Sequence, residues 1–176
     1  LTSSPLSTTS VSEGTNLYFS NARVYANVSQ IGYVTSSYTG DVSITGNLKM
    51  TGMFTETANV IAAAPGANTN VNLQYGSVFL YTANASSNVT LNLTGLTSLG
   101  TGNVTTAVVG VTNGATPYYI SGVQVDGTTA NVTTKWAGGS TPTGGNASNI
   151  DVYSFNIIKT NTLTYTILAQ QSQFGG

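Results

Sequence analysis

The chain has 176 residues, among them four Lys or Arg, five Asp or Glu, no His and no Cys. Without imidazole or thiol it lacks the common zinc ligands and the usual base for a Ser nucleophile. A net charge of −1 supplies no basic patch for nucleic acid or for an anionic membrane surface.

Charged residues make up 5% of the chain, where an ordinary domain has about 25%. The chain is still expected to fold, because 40% of it is apolar and disorder goes with low hydrophobicity and high net charge. Solubility then rests on Ser, Thr and Asn, and Thr in particular is both polar and β-branched, which suits an exposed strand face. No run of about 18 apolar residues occurs, so no membrane insertion is expected. Absent Cys removes disulfides as a source of durability and leaves oligomerisation. The length fits one or two small domains. The chain opens at Leu1 with Thr2-Ser3-Ser4-Pro5, without an initiator Met or a signal-peptide pattern, and is read as a fragment or processed product.

In chain order, Leu1 to Val11 form a Ser/Thr-rich extended lead, and Ser20 or Asn21 is placed to cap one short helical stretch through Tyr25. Ile31, Tyr33, Val34 and Tyr38 suggest a short strand or linker over 28–39. Residues 40–52 alternate at Val42 and Ile44, then at Leu48 and Met50, around a Gly46-Asn47 pair. That pattern predicts a small hairpin or successive strands of a shaft. Units with so few apolar side chains are marginal alone and become stable when copies from other chains close the core.

From Thr69 the alternation of Val, Ile, Thr, Tyr and Phe with polar residues predicts strands near 69–74, 77–82, 88–94, 103–112, 117–125, 129–136, 150–159 and 162–170. Asn113-Gly114 and Asp126-Gly127 are turn signals. Val104, Val108, Val109 and Val111 suggest a central strand buried on both faces for part of its length. Eight strands in this span predict a jelly-roll-like β-sandwich. Ala137–Asn149, rich in Gly, Ser, Thr and Pro, reads as a long loop, of a length that often carries function.

Catalytic candidates are few. The acids are Glu13, Asp41, Glu56, Asp126 and Asp151, and a glycosidase would need two of them facing each other. No enzyme activity, metal or cofactor is expected. Three aromatic residues are candidate ligand or receptor contacts. Trp136, the only Trp, either offers its indole face to a sugar ring or anchors a core or interface. Tyr118 and Tyr119 follow Pro117, and on a strand they point to opposite faces. Only one of them is then expected to be exposed, for recognition or for ordinary edge packing. Seven Asn-x-Ser/Thr sequons occur, at Asn27, Asn84, Asn88, Asn92, Asn103, Asn131 and Asn146, where a chain this rich in Asn, Ser and Thr gives roughly five by chance, so they do not by themselves argue for glycosylation.

Two stretches carry a family resemblance. Glu13-Gly14-Thr15-Asn16-Leu17-Tyr18-Phe19-Ser20-Asn21-Ala22-Arg23-Val24 resembles a recurrent segment of bacteriophage tail-fibre and other virion fibre proteins, with departures at Phe19 and Ser20. Gly40-Asp41-Val42-Ser43-Ile44-Thr45-Gly46-Asn47-Leu48 is similar to the shaft repeat that follows it in such proteins, present here once where a long fibre would show many copies. Lys135-Trp136-Ala137-Gly138-Gly139, Pro142, Asn146-Ala147, Ile150 to Phe155 and Ile158-Lys159-Thr160 resemble a module of marine and cyanobacterial phage structural proteins. The matching residues cover about a quarter of the chain.

The resemblance implies an extracellular virion protein: an all-β homotrimer with an N-terminal attachment or shaft segment over 1–57 and a β-sandwich knob over 58–176. It implies contacts with other virion proteins through the N-terminal segment, a host cell-surface glycan as a candidate partner of the knob, and no catalytic residues. Two alternatives stand beside it, a capsid decoration or cement protein and a cell-surface adhesin or carbohydrate-binding module.

Overall fold

The computed structural model describes Val24, which is helical, and residues 43–176. The chain divides between Gly52 and Met53, and each part is taken by itself. In the first part, the helical stretch expected over 20–25 and the strand or linker expected over 28–39 fall outside the described residues, Val24 excepted. Residues 43–52, the described part of the hairpin or shaft strands expected over 40–52, contain no strand. The reason is visible in their side chains: Ile44, Leu48 and Met50 are half or more exposed, and two apolar residues per strand give a lone hairpin nothing to close on.

The second part is all-β. Nine strands form two sheets: β1 (Asn59–Ile61), β2 (Asn68–Asn72), β3 (Val78–Tyr81), β4 (Val89–Thr94), β5 (Val104–Thr112), β6 (Ile120–Val125), β7 (Val132–Trp136), β8 (Ile150–Asn161) and β9 (Thr164–Phe174). The larger sheet has the order β1-β3-β5-β8-β9-β7 and the smaller β2-β4-β6. From β1 to β7 the chain alternates between the sheets, so each strand lies parallel to the strand two before it, as far as β6. Asn59, Phe79 and Val109 thus stand side by side on successive passes. Parallel neighbours need a crossover, and here the crossover is a strand of the opposite sheet. The two facing sheets fit the sandwich expectation. The jelly-roll connectivity is corrected: its strands run antiparallel, whereas here only β5–β8 and β8–β9 do.

The strands form where β-branched and aromatic residues alternate with Thr, Ser and Asn. Inward positions build one core from both sheets: Val71, Leu91, Leu93, Ile120 and Val125 from the smaller, Phe79, Val109, Tyr153, Phe155, Ile157 and Ile167 from the larger. The outward positions of β2, β4 and β6 carry only Asn, Thr, Ser, Gly and Gln, and Asn92 Nδ2 donates to Asn70 Oδ1 across two of them at 2.9 Å. On β5, burial of both faces extends over Val109–Val111, while Val104 is exposed. Gly110 makes this possible: an added Cβ would meet Leu80 Cδ1 at 2.7 Å. After β6, Asp126 (φ 46°) and Gly127 (φ 82°) form the expected turn, with Val125 and Thr128 bonded to each other in both directions at 3.0 Å. Both central residues at positive φ mark a type I′ turn.

Candidate functional site

β8 controls the ends of the core. Its inward side chains are Asp151, Tyr153, Phe155, Ile157 and Lys159, all buried. Three are apolar or aromatic and belong there by hydrophobicity, but strand periodicity carries a carboxylate and an ammonium inward with them.

Asp151 is fully buried. Its Oδ2 accepts from Asn113 Nδ2 at 3.0 Å, from the Asn146 backbone N–H at 3.0 Å and from Gln171 Nε2 at 3.3 Å. Asn113, also buried, accepts from the Tyr118 N–H through its own side-chain oxygen at 2.9 Å. Gln171 Nε2 is also 3.0 Å from both Gly144 O and Tyr153 Oη, and Tyr153 Oη accepts from the Ile120 N–H at 3.2 Å. A single carboxylate oxygen therefore ties the segment after β5, the long loop, β8 and β9 into one end of the fold. Removal from water raises the Asp151 carboxyl above its ordinary value of 3.8, against the opposing effect of its donors. Oδ1 accepts no hydrogen bond from the described residues, which fits a charge whose burial is only half compensated.

The long loop opens with a 3₁₀ turn over Ala137–Gly139, where Gly138 (φ 78°) and Gly139 (φ 82°) supply conformations other residues resist. Its far side lies on Asp151. Gly145 has no room for a side chain: a Cβ there would run into the Tyr118 carbonyl oxygen and come within 2.9 Å of both Asn113 Nδ2 and Asp151 Oδ2. Thr141, Pro142, Thr143, Gly144 and Gly145 with Gln171 and Gln173 line an open depression at this end. Its walls carry hydroxyls, amides and peptide groups with no charged side chain.

The sequence-predicted contacts are placed differently. Tyr118 and Tyr119 do not lie on a strand, since β6 begins at Ile120. Both are half-buried against the core. Tyr118 belongs to the loop end through its backbone, and Tyr119 N–H donates to Asn88 Oδ1 at 3.3 Å. Trp136 packs against the core at the end of β7. Across the larger sheet it stands in one row with Ala169, Phe155 and Ala107, large alternating with small. Ala169 leaves space for the indole to reach past it. Its ring meets Phe155 at 6.1 Å and Tyr153 at 6.4 Å between centroids, edge to face in both pairs. Such packing on Phe155 and Tyr153 is that of a core anchor. The edge of Trp136 also borders a shallow depression lined by Lys135, Ser154, Asn156, Leu168 and Gln170.

Lys159 closes the opposite end of the core. Its Nζ donates to Leu99 O at 2.7 Å and Thr97 O at 3.2 Å and lies 5.8 Å from the Tyr165 ring centre. The other described carboxylates are held apart in their hydrogen bonding: Glu56 accepts from Ser77, Asp126 from Gly95 N–H. Among the described residues no three His, Cys, Asp or Glu side chains gather as a metal site.

Sequence reasoning missed Asn113, Asp151 and Gln171. The signal was strand parity: once Tyr153, Phe155 and Ile157 are taken as inward, Asp151 and Lys159 must be inward too. Comparison with known proteins finds no matching family model, no matching curated protein and no matching solved structure.

Proposed function

We propose that this chain is a non-enzymatic structural protein of a phage virion, a fibre-like homotrimer that contributes to attachment to the host surface. Residues 1–57 would serve as the attachment or shaft segment and residues 58–176 as the knob. The observation that carries the reading is the state of Ile44, Leu48, Met50, Met53 and Phe54, which are 50–88% exposed in a segment without strands. Such a segment calls for partners outside its own chain, and Ile44 and Leu48 lie in the stretch that resembles a fibre shaft repeat.

The loop end is the part of the knob suited to a receptor. Its depression offers hydroxyls, amides and peptide groups without charged side chains, which fits a neutral glycan better than an anionic one. Weak single contacts suffice where several copies on one particle act together.

Light scattering of residues 1–176 over a dilution series tests the reading. A mass of three chains that persists on dilution is expected. A stable monomer overturns the self-sufficient trimer and favours a decoration protein whose N-terminal segment orders on the capsid.

A further inference from the structure

The two sheets present unlike faces to the outside. The outward side of the smaller sheet is wholly polar. The outward side of the larger sheet is largely aliphatic over β1, β3, β5 and β8. Val60 lies beside Leu80, Leu80 beside Gly110 and Gly110 beside Val152. One step along, Val78 lies beside Val108. Val60 is 66% exposed and Val104, at the end of the same face, 60%. Between these exposed ends Leu80, Val108 and Val152 are half-buried, with Leu80 seated over Gly110, and contiguous exposed apolar area on a protein surface marks an interface.

We infer that the outward face of the larger sheet is the surface through which copies of this chain contact one another. Three features point to a second copy as the occupant. The face carries no charged side chain except Lys135, on the outermost strand β7, so like copies meet without repulsion and a charged partner finds no complement. Its side chains are small and branched on a regular pleat, the shape that lets two sheet faces pack about 10 Å apart. Its size is right: six strands of three to twelve residues, each residue covering about 3.4 Å by about 4.8 Å, give roughly 700 Å², close to the roughly 800 Å² that each partner contributes to a stable interface. The inference rests on reading the chain as self-assembling and adds which surface does it.

The test uses the full chain. Val108→Lys and Val60→Lys place a charge in the patch, and Asn68→Lys places the same charge on the outward face of the smaller sheet. The expected result is that the two patch variants dissociate at a concentration at least ten-fold higher than the unmodified chain, while Asn68→Lys matches it. An independent measurement covers variants that fail to fold. Val108→Cys would carry the only thiol in the chain, and its reaction with a maleimide should be at least ten-fold slower in the assembled protein than after dilution below the dissociation concentration. An assembled protein whose mass is unmoved by the patch variants, and whose introduced thiol reacts at the same rate at both concentrations, overturns this face and leaves the fibre reading standing. A monomeric unmodified chain overturns both.

Discussion

Asp151 and Lys159 project from the same side of β8, both buried, one at each end of the core and neither paired with an opposite charge among the described residues. Each is held instead by dipoles. Three N–H groups converge on the carboxylate, and two carbonyls with an aromatic face receive the ammonium. Loops rather than strands supply most of these groups, so the two charges act as fasteners for chain that has no ladder of its own.

Substitution at Asp151 separates acceptor from charge. Asp151→Ala leaves the Asn113 and Asn146 donors facing nothing, while Gln171 keeps Gly144 O and Tyr153 Oη, and should cost about 2–4 kcal/mol. Asp151→Asn keeps an oxygen in the Oδ2 position and removes the buried charge, and should stay within about 1 kcal/mol of the parent. Urea unfolding of the three proteins at neutral pH gives the comparison.

The same pair predicts a pH signature. Burial raises the Asp151 pKa above 3.8, so the folded state favours the protonated acid. Its unfavourable contribution is absent below the unfolded value and complete once pH exceeds the folded one. The stability of the parent relative to Asp151→Asn should therefore fall as pH rises from about 3.8, then level off. Taking the difference removes the opposite trend of Glu56, whose pKa the Ser77 hydrogen bonds hold down. A difference that is flat, or that grows in the parent's favour, contradicts the burial argument.

Asn113→Asp puts a second carboxylate within hydrogen-bond distance of the first, without changing shape. Two such groups cannot both ionise cheaply. Thermal unfolding should show a variant weakened by several degrees at pH 7 that recovers most of the loss near pH 4.

At Gly145 any side chain collides with the Tyr118 carbonyl, whereas a Cβ at Gly144 meets nothing within 4 Å. Gly145→Ala should destabilise by about 2 kcal/mol or more and Gly144→Ala by less than about 0.5 kcal/mol. Equal melting temperatures for the two would mean that the loop does not seat on Asp151.

Trp136 and Ala169 should behave as complementary shapes. Trp136→Ala opens a space above Ala169 worth about 3 kcal/mol, and Ala169→Leu overfills it at about 1–3 kcal/mol. Since Trp136 is the only tryptophan, its fluorescence should shift to the red in Ala169→Leu as the indole is pushed outward. An unchanged spectrum would argue against the stacked row.

The strands were legible because Val, Ile, Leu and Thr alternate with turn residues between them. Val89-Thr90-Leu91-Asn92-Leu93-Thr94 reads as a strand and is one, with buried and half-buried positions in strict alternation. Strand direction was not legible, because a chain coiling between two sheets and an antiparallel sandwich write the same alternation when one face is solvated. β1 escaped notice because its three residues, Asn59-Val60-Ile61, are too short to show a period. Asp151 stands at the start of the strand expected over 150–159, where a carboxylate is usually outside. Only its parity with Tyr153 contradicts that. The loop Ala137–Asn149 was recognised from composition, but its seating on Asp151 depends on a contact between segments distant in sequence, which no local pattern records.

The order of strands in the larger sheet bears on how that sheet is closed. β7 pairs with no strand of that sheet except β9. Gln171, which braces the carboxylate, lies on β9 as well. The larger sheet therefore closes around β7 only when β9 joins it, and without β9 it is left with an unpaired edge and an unbraced buried acid. One strand thus locks both the edge of the sheet and the buried acid, so losing it would undo the two together.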